Sequence, residues 1–144
     1  MGKIFLREVN TRGEISKEAL IRYRVFVVGQ KVPEEIEIDA HEDSCTHFLA
    51  FFGKIPVGCI RVRPVGRKLK LERLAVLPEF RGRGFGREIV RLAVGYCRRK
   101  KPSGIYMNAQ YYLLEFYKKL GFEPRGKTFF EAGIKHVKMV LKAD

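Results

Sequence analysis

The sequence has no tryptophan, three cysteines, and 16 acidic residues against 29 lysines and arginines. Each shortage excludes something. Cys45, Cys59 and Cys97 are odd in number, scattered, and form no CxxC pair. That argues against a disulfide framework or a zinc ribbon and for a reducing, cytoplasmic setting. No apolar run approaches the ~20 residues a membrane span needs. No signal peptide is expected, because Met1-Gly2-Lys3-Ile4-Phe5 runs straight into a strand pattern. Repeats, linkers and low-complexity tracts are also missing. The 144 residues are therefore expected to form a single domain, 1–144, long enough for a core. The missing acid leaves a formal net charge of +13, which points to polyanionic partners without choosing between a phosphate-bearing small molecule and nucleic acid. Abundant Lys, Arg and Glu without Trp is compatible with a thermophilic source.

What is present centres on Leu71 to Val94. Leu71–Val76 reads as a strand, broken at Leu77-Pro78-Glu79-Phe80 because proline has no N–H for a ladder. Arg81-Gly82-Arg83-Gly84-Phe85-Gly86 follows, and from Arg87 the apolar residues Ile89, Val90, Ala93, Val94 and Cys97 fall at helical spacing. A glycine-rich turn thus feeds the first turn of a helix, whose unpaired N–H groups and dipole favour an anion. Glycine admits positive φ and close backbone approach, and Arg81, Arg83 and Arg87 add charge. The turn is neither a Walker A loop, since Gly86 is followed by Arg87-Glu88, nor a dinucleotide fingerprint, since Arg87 stands where the third glycine belongs. It reads as Arg-x-x-Gly-x-Gly, through Arg81, Gly84 and Gly86. A basic turn with no ligand, or an arginine–glycine tract for nucleic acid, is the alternative.

The remaining elements follow from pattern. Lys3–Val9 alternates as a first strand, and Thr11-x-x-Glu14 has capping-box spacing. Ile15, Ala19, Tyr23 and Phe26 mark the expected inward face of the helix that follows, with Leu20 and Val27 beside it. Glu34, Glu35, Glu37, Asp39, Glu42 and Asp43 crowd one segment of an otherwise basic chain. This is either a solvated acidic loop or an electrostatic collar that gathers a cationic amine. Asp39, His41, Asp43, Cys45 and His47 have no metal-motif spacing, so no metal is expected. Thr46–Phe52 reads as a buried interior strand, Gly53-Lys54 as a hairpin turn, and Val57–Arg63 as a strand with Arg61 and Arg63 on one face. Further strands are expected at Lys68–Val76 and Ile105–Ala109, a helix at Tyr112–Leu120 capped by Gly121, and a last hairpin of Lys127–Phe130 and Ile134–Leu141 about Ala132-Gly133.

The order β-α-β-β-β-α-β-α-β-β resembles that of the GCN5-related N-acetyltransferase (GNAT) family. Leu74-Ala75-Val76-x-Pro78, Arg81-x-x-Gly84-x-Gly86 and Phe116-Tyr117-Lys118-Lys119-Leu120-Gly121-Phe122 carry the resemblance. The run Arg22-Tyr23-Arg24-Val25-Phe26-Val27-Val28-x-Gln30, with Asp39 and His47 downstream, is similar to the ElaA/YjcF-type branch. The resemblance implies an α/β (α+β) acyl-CoA N-acyltransferase fold with a central mixed, mostly antiparallel sheet flanked by helices. It also implies acetyl-CoA as cosubstrate and an amine as acceptor.

Backbone N–H groups of Leu74, Ala75 and Val76 would face the thioester and supply an oxyanion donor. Arg81, Gly82, Arg83, Gly84, Phe85, Gly86 and Arg87 would hold the pyrophosphate. Tyr117 matches the family tyrosine near the CoA sulfur and would protonate the leaving thiolate; a core tyrosine is the plain alternative. Family members often carry asparagine where Gln110 stands, and Asn108 lies close enough to substitute. For a base, Glu72 leads toward the thioester site, unless it is an ion-pair partner of Arg61, Arg63 or Arg73. His47 is the second candidate, unless it is structural.

Three readings therefore stand: an acetyl-CoA-dependent N-acetyltransferase, a basic nucleic-acid-binding domain, and an acyl-CoA sensor of the same fold without turnover. No motif of the common nucleic-acid folds is present, which weighs against the second. No membrane partner is expected, and a homodimer stays open.

Overall fold

The computed structural model describes residues 3–142; Met1, Gly2, Ala143 and Asp144, at the ends of the expected 1–144 domain, lie outside them. Strand β1 (Ile4–Glu8) leads into helix α1 (Arg12–Arg22). The Thr11 hydroxyl accepts from the Glu14 N–H at 3.1 Å, and Glu14 accepts from the Asn10 and Thr11 N–H groups, which completes the capping box. The helix does not stop at Arg22. It widens into a π turn over Tyr23–Gly29, then gives one helical turn, α2 (Glu34–Glu37), after Pro33. Strands β2 (Thr46–Phe52), β3 (Ile55–Val65) and β4 (Lys68–Val76) form an antiparallel meander. Helix α3 (Phe85–Arg99), β5 (Gly104–Gln110), a short α4 (Leu114–Lys118), β6 (Phe122–Glu131) and β7 (Ile134–Leu141) follow.

The seven strands make one sheet in the order β1-β2-β3-β4-β5-β7-β6. Only β4–β5 is parallel, and it pairs only Lys68–Leu71 with Gly104–Met107. Beyond Leu71 the two strands part. β5 stays with β7 through Asn108, Ala109 and Gln110, while β4 stays with β3. The backbone from Glu72 to Val76 therefore has a strand on one side and open space on the other.

Two cores lie on opposite faces. Helix α3 lays Ile89, Val90, Ala93 and Cys97 on Val57, Ile60, Val62, Leu71 and Met107; each fully buried Ile or Val contributes about 1.5–3 kcal/mol. On the other face Ile21, Val25, Phe26 and Val32 cover Leu49, Cys59, Ala75 and Leu77.

The order of elements along the chain and most boundaries match the sequence reading, and β2 is interior, between β1 and β3. The inward face of α1 does not match. Ile15, Leu20 and Tyr23 are 53%, 60% and 44% exposed, and Glu14, Glu18, Ile21 and Arg22 turn inward instead. Phe26, in the π turn, is buried as expected; over α1 itself the interior is largely charged, and apolar periodicity picked the wrong face. The expected Tyr112–Leu120 helix is shorter, because i→i+3 bonds tighten Tyr111–Leu113 at one end and Leu120 and Gly121 at the other. The last hairpin starts earlier, at Phe122, and turns with Ala132 and Gly133 both left-handed (φ 50° and 76°).

Candidate active site

A cleft of about 990 Å³ opens where β4 and β5 part. Its walls are the β4 backbone from Lys70 to Val76, the turn into α3, the end of β5, the α4 region and the π turn. The arrangement follows from three local features.

The first is the turn. Gly82 and Gly84 hold φ of 81° and 78°, a region closed to most side chains, and Gly84 is the N-cap residue of α3. The first N–H groups of this 15-residue helix have no helical partners and open onto the cleft with Gly82, Gly84, Phe85, Gly86 and Arg87. Gly86 needs no special φ; a Cβ there would stand 3.6 Å from Phe116 and 3.7 Å from Val76, an ordinary contact. Arg81 braces the turn, its Nε donating to the Val76 carbonyl at 3.1 Å. Arg83 points elsewhere, its guanidinium 5.8 Å from the centre of the Phe80 ring and outside the cleft lining.

The second is a bulge in β4. Cys59 faces Ala75 and Arg61 faces Glu72, so one more residue lies on β4 than on β3 between these pairs. Arg73 absorbs it at φ 56°, which is strained for a residue with a Cβ. Its side chain is held in place: Nε and Nη2 donate to the Glu37 carbonyl at 3.2 and 3.0 Å, Nε reaches Glu37 Oε2 at 3.1 Å, and Nη2 reaches Asp39 Oδ2 at 3.2 Å. No sequence signal marks an arginine for positive φ. Opposite the bulge, Gly58 is required: a Cβ would stand 2.4 Å from the Ala75 carbonyl oxygen.

The third is a buried ion-pair network. Arg22 binds Glu37 at 2.7 Å and Glu42 at 2.8 Å. Arg61, fully buried, binds Asp39, Glu42 and Glu72 at 2.9, 2.9 and 2.6 Å. Three carboxylates of the acidic segment, Glu37, Asp39 and Glu42, thus turn inward onto arginines, while Glu34, Glu35 and Asp43 are exposed. As a unit the segment is neither a solvated loop nor a free collar for a cationic amine. It is a strap that fastens α2 to the sheet. Two clues to this lay in the sequence: Glu18 and Arg22 at i,i+4, and Arg61 inside an otherwise buried strand.

The expected catalytic residues separate on this geometry. Tyr117 is buried, lines the cleft, and packs edge-on against Phe116 and Phe122. Burial pushes its phenol above the usual value, so it stays protonated. No hydrogen bond ties its hydroxyl down among the described residues. Glu72 lines the cleft but carries Arg61, Arg63 and Lys70 at 2.6, 3.0 and 2.9 Å. Burial alone would raise its carboxyl; hydrogen bonds from Arg63 and Lys70 and the Arg61 charge outweigh this and hold it at about 2. That is the geometry of an ion-pair partner, and the three cations disfavour its taking up a proton. His47 lies outside the cleft lining, clamped between Glu18 Oε2 and the Glu42 carbonyl at 2.8 Å each. The Glu18 bond raises its pKa against the opposing effect of burial, as for a structural histidine. Asn108 and Gln110 both line the cleft. The Gln110 amide exchanges two hydrogen bonds with Gln30, at 2.9 and 3.1 Å, joining β5 to the π turn. Asn108 carries no side-chain bond among the described residues. Sequence reading gave Gln30 no role in the site, placed Arg73 on Glu72 where the structure puts it on Glu37 and Asp39, and did not single out Lys70.

No group of three or more His, Cys, Asp or Glu side chains suited to a metal ion occurs among the described residues. No helix among them is long and apolar enough to cross a membrane.

A family model described as an acetyltransferase (GNAT) domain matches residues 11–143. The chain belongs to this family. Among the GNAT relatives, the uncharacterized N-acetyltransferase YjcF of Bacillus subtilis is 38% identical over 121 residues, 83% of this chain and 86% of that protein. The crystal structure of Escherichia coli ElaA superposes with a TM-score of 0.85 at 22% identity, covering 97% of this chain and all of that one. A GNAT acetyltransferase from Elizabethkingia anophelis, solved with acetyl-CoA bound, has a TM-score of 0.69 at 20% identity, covering 95% of this chain and 94% of that one. Both likenesses establish the acyl-CoA N-acyltransferase fold.

Proposed function

We propose that this GNAT protein transfers the acetyl group of acetyl-CoA to a primary amine by direct attack in a ternary complex, in a reducing cytoplasm. One observation carries the reading: the glycine turn at the start of α3, the β4 edge beyond its pairing with β5 and the Tyr117 side chain all line one cleft. The acetyl-CoA held by the E. anophelis relative supports the choice of cosubstrate.

The α3 N-terminus and its turn bind the pyrophosphate. The β4 edge, Leu74 to Val76, donates to the thioester carbonyl as it becomes an oxyanion, in place of the strand it lacks on that side. Asn108 is the free amide for the pantetheine arm, since Gln110 is engaged with Gln30. The neutral amine attacks the carbonyl carbon, the N–C bond forms and the C–S bond breaks. Tyr117 protonates the departing thiolate and is reprotonated from solvent. The ammonium proton of the adduct leaves to water, because Glu72 is held as an anion by three cations and His47 lies away from the cleft.

Against the nucleic-acid reading stands the absence of any motif of the common nucleic-acid folds; the ion pairs of Arg22, Arg61 and Arg73 leave the surplus of positive charge unchanged. A turnover screen across amine classes, read by thiol release, tests the proposal. Acetylated amine with stoichiometric free CoA is the expected result. Calorimetric binding of duplex DNA that weakens with salt, without binding of acetyl-CoA, would replace it; acetyl-CoA binding without any turnover would return the protein to a sensor.

A further inference from the structure

The ion-pair network is unevenly shared. Near α1 and α2, the carboxylates of Glu18, Glu37, Asp39 and Glu42 answer Arg22, Arg61, Arg73 and His47. Toward the parallel end of β4 the match fails. Arg63 and Lys70 face each other across β3 and β4, both line the cleft, and both rely on Glu72, which also serves Arg61. Their side chains are only 17% and 11% exposed, so solvent does little to offset the imbalance. Donors are left over. Arg63 uses Nε and Nη2 on Glu72, and its Nη1 bonds nothing among the described residues. Lys70 spends one of three ammonium hydrogens on Glu72. Tyr106, paired with Lys70 on the next strand, lies under the Lys138 ammonium at 4.8 Å, which adds a further cation on that side.

We infer that the acceptor is an amine that also carries a carboxylate, and that Arg63 and Lys70 bind this carboxylate. A planar carboxylate suits the remaining edge of a guanidinium beside an ammonium, and a second anion there would restore the balance of charge. Spacing narrows the class. The pair meets at Glu72, two residues before Leu74, a separation of at most about 6–7 Å because the bulge at Arg73 bends the strand between them. The amine and the carboxylate must be separated by about that much, as in an ω-amino acid of several carbons or a short peptide, and more than in an α-amino acid.

This inference rests on the transfer reading above, and the assay separates the two. Initial rates with acetyl-CoA are compared for matched pairs, an n-alkylamine and the ω-amino acid of the same chain length, from glycine to 6-aminohexanoate. Wild type is expected to prefer the carboxylated partner in kcat/KM by at least about tenfold at the longer lengths, and little for glycine. In Arg63→Gln and Lys70→Met the ratio within each pair is expected to fall toward one, chiefly through KM. Both variants leave Arg61 on Glu72, and the ratio cancels any loss of folded protein. Alkylamines used as well as ω-amino acids by wild type would overturn the inference and leave acetyl transfer standing. Acetyl-CoA binding by calorimetry with no turnover of any ω-amino acid would also overturn it. No acetyl-CoA binding would remove the transfer reading itself.

Discussion

Replacing Arg73 by alanine and by glycine separates the two things this residue does. Its guanidinium makes four hydrogen bonds that tie the β4 bulge to Glu37 and Asp39. Removing one partner of a buried pair costs about 3–5 kcal/mol when the other is stranded. Here Glu37 keeps Arg22 and Asp39 keeps Arg61, and Arg73 is partly exposed, so the loss is smaller, about 1–3 kcal/mol. Both substitutions incur it. They differ in the backbone: φ is 56°, where a residue with a Cβ is strained by about 1–2 kcal/mol and glycine is not. In a regular strand glycine is worse than alanine by about 0.5–1 kcal/mol. At this position the order inverts, and Arg73→Gly is expected to be more stable than Arg73→Ala by about 1 kcal/mol. Urea midpoints at matched m-values measure this, and a melting difference of about 2–4 °C accompanies it. Turnover follows the same order, since the bulge sets the β4 edge proposed to face the thioester. An alanine variant as stable as the glycine variant, or more so, would refute the strain argument.

The other predictions are independent of that one. Gly58→Ala places a Cβ 2.4 Å from the Ala75 carbonyl oxygen and 3.0 Å from Ile89, so β3 and β4 must shift; a loss of about 2–4 kcal/mol in denaturant unfolding is expected. Gly84→Val meets no neighbour but forces φ 78° on a β-branched residue; acetyl-CoA affinity by calorimetry is expected to drop at least about tenfold, with the fold kept and a melting loss of a few degrees from the strained φ. His47→Gln tests the clamp by pH. The folded pKa of His47 is raised by Glu18, so its contribution is fully present below the unfolded value of about 6.5 and is lost as pH rises through the folded value. Wild type should therefore lose melting temperature relative to the variant between pH 6 and 9, and parallel profiles would remove the clamp.

The sheet, the turn and the placing of Tyr117 were legible because each has a local cause: alternation, a glycine pattern before helical spacing, an inward helical position. The strap over the cleft was not. Glu37, Asp39 and Glu42 look solvated in sequence, and only the fold brings Arg22, Arg61 and Arg73 to them from three elements. The same long-range pairing turned α1 onto its charged face and tied Glu72 to Arg61, Arg63 and Lys70. Positive φ at Arg73 follows from a mismatch in length between β3 and β4, which no single residue announces.

Tyr117 offers the most direct measurement of acetyl transfer in this cleft. Phenylalanine removes one oxygen and keeps the ring packed on Phe116 and Phe122. A positioned general acid contributes about 10²–10⁴-fold, and proton transfer to a thiolate from a phenol whose pKa burial has raised runs uphill, so the lower end applies. In single-turnover and steady-state assays with acetyl-CoA and any accepted amine, Tyr117→Phe is expected to lower kcat about 10²-fold, with near-normal acetyl-CoA binding and melting temperature. A thioester with a better leaving group should lose less. Wild-type kcat in the phenylalanine variant would contradict the account.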